Sequence, residues 1–271
     1  LIPNPRLRFM DNLRKKTSYG VFWSYINRFS LQILSIVPAM ILTRMLSPDQ
    51  YGLIAMASIF TGLAYQLADG GFGNALVQKK NADVLDFNTV FYFNIVAYIT
   101  LYLLTYFAAP LISLFFHEEA LTNIIRVSSI GLIFVSFGSV QAIIFKKNID
   151  YKKPTIRNIS CQILSVIVAV SMAFMGLGVW SLVFQGLVYT LLASILNWIL
   201  CTWKPSLQFS FVRLRKLFNF GSKTLLSSMI DYGFSKAYDI VIGRVYSPSA
   251  LALYNRAFST QAIFTGTFFS V

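Results

Sequence analysis

The sequence predicts an all-α fold: a polytopic membrane helical bundle of two parallel six-helix lobes, the second lobe truncated within this chain. Three observations carry the expectation. Of 271 residues 56% are hydrophobic and 12% charged, whereas a soluble domain carries about 25% charged residues. No soluble core could hide that much apolar surface. The second observation is an internal repeat. Ile41-Leu42-Thr43-Arg44-Met45-Leu46-Ser47-Pro48 returns as Val241-Ile242-Gly243-Arg244-Val245-Tyr246-Ser247-Pro248, with arginine, serine and proline at matching places 200 residues apart. Each copy closes a long apolar run and is followed by another, an arrangement found in transporters far more often than in enzymes. The third observation is that basic residues gather in alternate loops.

A span needs about 20 largely apolar residues. The candidates are 18–43, 50–68, 88–116, 121–145, 156–175, 179–202, 222–245 and an eighth from about 250. The first is longer than a signal-peptide core of about 7–15 residues and lacks a small-residue cleavage site, so it stays as a span. The second ends at Asp69-Gly70-Gly71-Phe72-Gly73-Asn74. That stretch has neither the third glycine of a dinucleotide fingerprint nor a following Gly-Lys-Ser/Thr, and it reads as a helix-ending turn. Met10 reads as an ordinary start with residues 1–9 upstream of it, and the eighth run reads as cut at Val271.

Charge sets the orientation. Arg14, Lys15 and Lys16 precede the first span. Lys79 and Lys80 follow the second, Lys146, Lys147, Lys152, Lys153 and Arg157 the fourth, and Lys204, Arg213, Arg215 and Lys216 the sixth. The intervening loops hold little more than Arg44 with Asp49, and His117-Glu118-Glu119. Lys/Arg-rich loops stay in the cytoplasm, so the N-terminus is expected inside. Six spans separate the two copies of the repeat, so both copies should point the same way through the bilayer. Residues 1–17 are then a cytoplasmic segment, 18–203 the first lobe, 204–221 a cytoplasmic amphipathic linker and 222–271 the start of the second lobe. The linker mixes Phe209, Phe211 and Phe218 with its cations, as a surface-lying helix does. A plain basic loop is the alternative reading.

Polar groups inside spans locate the candidate site. Arg28 lies near mid-bilayer, where insertion costs about 2.5–3.5 kcal/mol, so it should face a cavity or a partner. At about 100° per residue Ser24, Asn27, Arg28, Gln32 and Ser35 share one arc. Ser228, Asp231, Ser235, Lys236 and Asp239 share a similar arc on the seventh span. Facing each other, the two stripes would line a hydrophilic chamber. The competing reading is that Asp231, Lys236 and Asp239 only neutralise one another. Arg44 and Arg244 end helices, where snorkelling suffices to explain them.

Other classes are disfavoured. The net charge of +13 is scattered in short clusters between apolar runs, not on a face fit for nucleic acid. His117-Glu118-Glu119-Ala120-Leu121 lacks the second histidine of a zinc protease, and no Gly-x-Ser-x-Gly elbow occurs. Cys161 and Cys201 have no metal-ligand spacing. No metal, cofactor or catalytic residue is expected.

Several motifs together resemble one known family. They are Leu46-Ser47-Pro48-Asp49-Gln50-Tyr51-Gly52, Asp69-Gly70-Gly71-Phe72-Gly73-Asn74-Ala75-Leu76-Val77-Gln78, Gly178-Val179-Trp180-Ser181-Leu182-Val183, and Ile242-Gly243-Arg244 with Tyr254-Asn255-Arg256-Ala257. The chain resembles the Wzx-type oligosaccharide flippases of the polysaccharide transporter family, in the superfamily of the MATE exporters. The resemblance runs from Lys15 to Val271, and helices nine to twelve of the family pattern are missing from it. It implies a multi-pass protein of the bacterial inner membrane that flips undecaprenyl-pyrophosphate-linked oligosaccharide for O-antigen, capsule or exopolysaccharide. Membrane lipids, a polysaccharide polymerase and a chain-length regulator would be its partners. With that cargo, Arg28, Asn27, Gln32, Lys236 and Ser235 are the candidate substrate contacts, and Asp69, Asp231 and Asp239 are ion-coupling or structural. A MATE-like cation-coupled drug exporter and a membrane glycan polymerase or ligase remain the alternatives.

Overall fold

Among the described residues, all regular structure is helical. The computed structural model describes residues 5–268, with side chains from 19 to 261 except 35, 37 and 260; the expected contribution of Ser35 lies outside these. The helices are α1 Pro5–Met45, α2 Pro48–Asp69, α3 Phe72–Gln78, α4 Val84–Phe116, α5 Ala120–Ser128, α6 Ile130–Lys147, α7 Lys152–Phe174, α8 Val179–Leu200, α9 Phe211–Val245 and α10 Pro248–Phe268. Six stretches are long and apolar enough to cross a membrane: Tyr19–Met45, Pro48–Asp69, Val84–Phe116, Ala120–Lys147, Lys152–Phe174 and Trp180–Leu200. They coincide with the first six expected spans. The protein is a polytopic membrane helical bundle.

Local chemistry explains the boundaries. At the start of α2, Ser47 Oγ accepts from Gln50 N–H while the Gln50 side chain accepts from Ser47 N–H, and Pro48 fills the first helical position. The second copy of the repeat does the same work. Ser247 Oγ accepts from Ala250 N–H at 3.2 Å ahead of α10, which also begins with proline. The repeat is thus a duplicated helix start. Gly70 ends α2 in the left-handed region (φ 58°), as a helix-ending turn requires. Gly71, also left-handed, opens the short helix α3, which the sequence reading did not anticipate. The fourth span has a seam at Ser129 between α5 and α6.

Packing proceeds α1 on α7, α7 on α8, α8 on α6, α6 on α4 and α4 on α2, while α9 and α10 lie against α2. Apolar burial does not drive helices together within lipid; close fit does, and small residues allow it. The buried face of α2 accordingly carries Gly52, Ala57, Thr61, Ala64 and Ala68. Tyr232 of α9 reaches across to donate to the Ile59 carbonyl at 2.8 Å. Gly221 of α9 meets the backbone of the Gly70-Gly71 turn. The two helix starts lie side by side: Ser249 Oγ donates to Asp49, and Gly52 faces the Pro248 backbone. Met56 and Leu251 share one apolar cluster further along. α2 and α10 therefore run in the same direction, as the expected parallel repeat demands.

The basic loops collect at the opposite end from these helix starts. There Asp86, fully buried, is paired with Lys79 at 2.5 Å and with Arg213 at 3.3 Å. Asp83 caps α4 and pairs with Arg213. That hydrogen bond from Arg213 is the main reason the Asp83 carboxyl titrates below the usual carboxylate range. Lys147 Nζ donates to the Leu76 and Lys79 carbonyls at 2.9 and 2.5 Å, closing the end of α3. The expected linker region is partly absorbed into α9, which begins at Phe211 behind an N-cap Ser210 and continues unbroken to Val245.

Candidate functional site

Two cavities adjoin at the middle of α2. One, of about 410 Å³, lies between the end of α1, α2, α9 and α10 and is lined by Thr43, Tyr51, Ser58, Lys236, Asn255 and Arg256, among others. Arg256 stands 5.2 Å over the Tyr51 ring. Lys236 Nζ pairs with Asp239 Oδ2 at 2.7 Å, one turn along α9, and Asp239 is buried. The charged residues among those lining this cavity are both cations, Lys236 and Arg256. A cation at such depth is stable only against a partner or in a polar cavity.

The second cavity, of about 440 Å³, lies within the six-span bundle between α2, the α5–α6 seam, α7 and α8. Ser58, Tyr65, Gln162, Gln185, Tyr189 and Thr190 are among its lining residues, and none of those lining it is charged. Ile54 and Ser58 line both spaces.

The expected site residues divide between these surroundings. Lys236 lines the cationic cavity. Ser235, exposed beside it, donates to the Tyr232 carbonyl at 2.8 Å. Asp239 is tied to Lys236, and Asp231 is exposed on the same helix. Arg28, exposed, and Gln32, half-buried, lie on α1, whose main partner is α7. Neither is among the residues lining the two cavities above. Asn27 accepts from Asn158 at 3.1 Å in a network joining α1, α7 and α8. Asp69, at the basic end of α2, accepts from the Gly71 N–H near Lys146.

Two cations escaped the sequence reading as site residues. Arg157, expected in a loop, lies inside α7. Its guanidinium donates to Asn197 Oδ1 at 2.6 Å and to Asn158 Oδ1 at 2.7 and 3.0 Å. Among the described residues no carboxylate pairs with it. Arg256 was visible only as part of a family motif. The 200-residue period places it opposite Met56 on α2, which signals a shared helix face but not a cavity. His117, read as a solvated loop residue, is exposed and contacts Arg244, which also lies 5.3 Å over Phe115.

The helices, with charged groups admitted to the middle of α9, define a multi-pass helical membrane protein. The chain belongs to the polysaccharide biosynthesis protein family, whose model matches residues 41–271. It is 25% identical over 256 residues to the teichuronic acid biosynthesis protein TuaB of Bacillus subtilis, covering 94% of this chain and 53% of that one. It is 22% identical to the lipopolysaccharide biosynthesis protein WzxC of Escherichia coli, covering 93% and 52%. The succinoglycan biosynthesis transport protein ExoT of Rhizobium meliloti is 25% identical, with 90% and 49% covered. The chain spans about half the length of the curated relatives it matches. No solved structure gives a significant match.

Proposed function

We propose that this protein is a non-enzymatic transporter that flips undecaprenyl-pyrophosphate-linked oligosaccharide from the inner to the outer leaflet of the bacterial inner membrane. The observation that carries the reading is the cavity between α1, α2, α9 and α10 whose charged lining residues are both cations. A pyrophosphate is an anionic cargo, and Lys236 and Arg256 supply cations at the depth it must cross. The name of the Rhizobium meliloti relative, a biosynthesis transport protein, supports transport over synthesis.

In this reading the N-terminus and the basic end face the cytoplasm, following the positive-inside rule. Ser235 and Lys236 on α9 meet the cargo at the cationic cavity, and Arg28, Asn27 and Gln32 on α1 meet it elsewhere along its path. Asp69, Asp231 and Asp239 couple an ion or hold the cations in place. The prenyl tail stays in lipid, and one lobe rocks against the other around the bound head group.

The test is complementation of a deletion strain. Arg28→Ala and Lys236→Ala are expected to insert normally yet to lose polysaccharide export, with lipid-linked repeat units accumulating. Wild-type export by both variants would remove these residues from the mechanism. Drug hypersensitivity of the deletion strain with normal polysaccharide would favour an exporter instead.

A further inference from the structure

The cavity inside the six-span bundle has no charged residue in its lining. Its polar lining sits deep in the membrane. Ser58 and Gln162 are each ten residues into their helices, about 15 Å from the ends at ~1.5 Å per residue. Polar side chains at that depth gain nothing from lipid. Its hydroxyls are anchored to their own helices. Ser58 donates to the Ala55 carbonyl at 2.7 Å and Thr190 to the Leu187 carbonyl at 3.0 Å, which fixes their rotamers and leaves oxygen lone pairs for an incoming donor. Gln162 and Gln185 add amides that both donate and accept, and among the described residues no hydrogen bond engages either amide. Tyr65 and Tyr189 add ring faces. At 440 Å³ the space falls within the usual small-molecule range of about 300–1,000 Å³.

Amides that donate and accept, hydroxyl acceptors, aromatic and aliphatic walls and no charged group together match a neutral ligand with polar edges and apolar faces, as a saccharide has. They do not match an ion or a cationic drug. We propose that this cavity is a saccharide compartment that receives sugar residues of the cargo while the pyrophosphate rests in the cationic cavity next door. Ile54 and Ser58, which line both, form the boundary between the two. The inference rests on the transport reading above and adds to it where the sugar goes and which side chains select it: Gln162, Gln185, Tyr65 and Tyr189.

Gly186 supplies the test. It lines the cavity, and a Cβ built there meets nothing within 4 Å. A larger side chain at this position therefore takes up space at the cavity wall without pressing on a neighbouring helix. The full chain in lipid nanodiscs is titrated with two probes: lipid-linked oligosaccharide extracted from the host cells, and undecaprenyl pyrophosphate without sugar. Gly186→Phe is expected to weaken the first by about tenfold or more and to leave the second within about twofold. Gly186→Ala should bind both as wild type. Gln185→Leu, which removes an amide without filling space, should weaken only the glycosylated lipid. Wild-type binding of the glycosylated lipid by Gly186→Phe, or equal loss of both lipids by Gly186→Phe and Gln185→Leu, overturns the saccharide compartment. If wild-type protein binds neither lipid, the transport reading itself fails.

Discussion

Lys236 and Asp239 form an ion pair that could serve structure alone, and variants separate that role from cargo binding. Removing one member of a buried pair leaves an uncompensated charge and costs about 3–5 kcal/mol when burial is complete; replacing both with apolar residues is often neutral. Lys236 keeps some exposure, so the single-variant cost should fall below that range. Asp239→Leu should lower the melting temperature, and Lys236→Met with Asp239→Leu should restore it while export stays lost. Recovery of export in the double variant would make the pair structural only. At the basic end Arg213 holds the Asp83 carboxyl below its usual value. A lowered carboxylate stabilises the fold above its unfolded pKa of about 3.9, and that contribution vanishes as pH falls through the lower folded value. Arg213→Gln should therefore flatten the acid limb of a melting-temperature profile below about pH 4. The sequence placed Lys236 and Asp239 on one face because three residues make most of a helical turn. It gave no sign that Arg256 would join them, since that contact depends on how α10 lies against α2.

The contact of α9 with the α2–α3 turn sets how the last helices seat on the bundle. Gly71 has φ 72° and touches the Gly221 backbone, so any side chain there is strained and obstructed at once. Gly71→Ala should destabilise the protein by more than about 1 kcal/mol, read as a lower melting temperature and as weaker crosslinking between cysteines at Ser222 and Asn74. An unchanged melting temperature would mean that α9 does not seat against the turn as described. The first six spans were legible because 20-residue apolar runs have few other uses. The Ser-Pro segments were legible as a repeat, and their chemistry as helix starts, a serine cap followed by proline, came from the structure. The short helix α3 was hidden, since seven residues carry too little periodicity, and the seam at Ser129 was hidden because its backbone stays helical on both sides. The unbroken run of α9 from Phe211 was hidden as well. Its first turns carry surface chemistry and its later ones the polar stripe, so composition alone suggests a boundary that the backbone does not have.

Across the whole molecule the duplicated helix starts meet at one end and the cations crowd the other. The chain is therefore polar along the membrane normal, and α2 stands between the two cavities. In the proposed mechanism α2 is the fixed wall along which an anionic glycolipid passes, its charge toward Lys236 and Arg256 and its sugar toward Gln162 and Gln185. The leaflet that holds the cargo can be measured. Spheroplasts of a deletion strain, complemented with the wild-type or the Lys236→Ala protein, are treated with a membrane-impermeant reagent that oxidises sugar diols, and the labelled lipid-linked oligosaccharide is quantified. Labelling is expected with the wild type, and background labelling with Lys236→Ala and with the empty strain. Equal labelling in all three would contradict it.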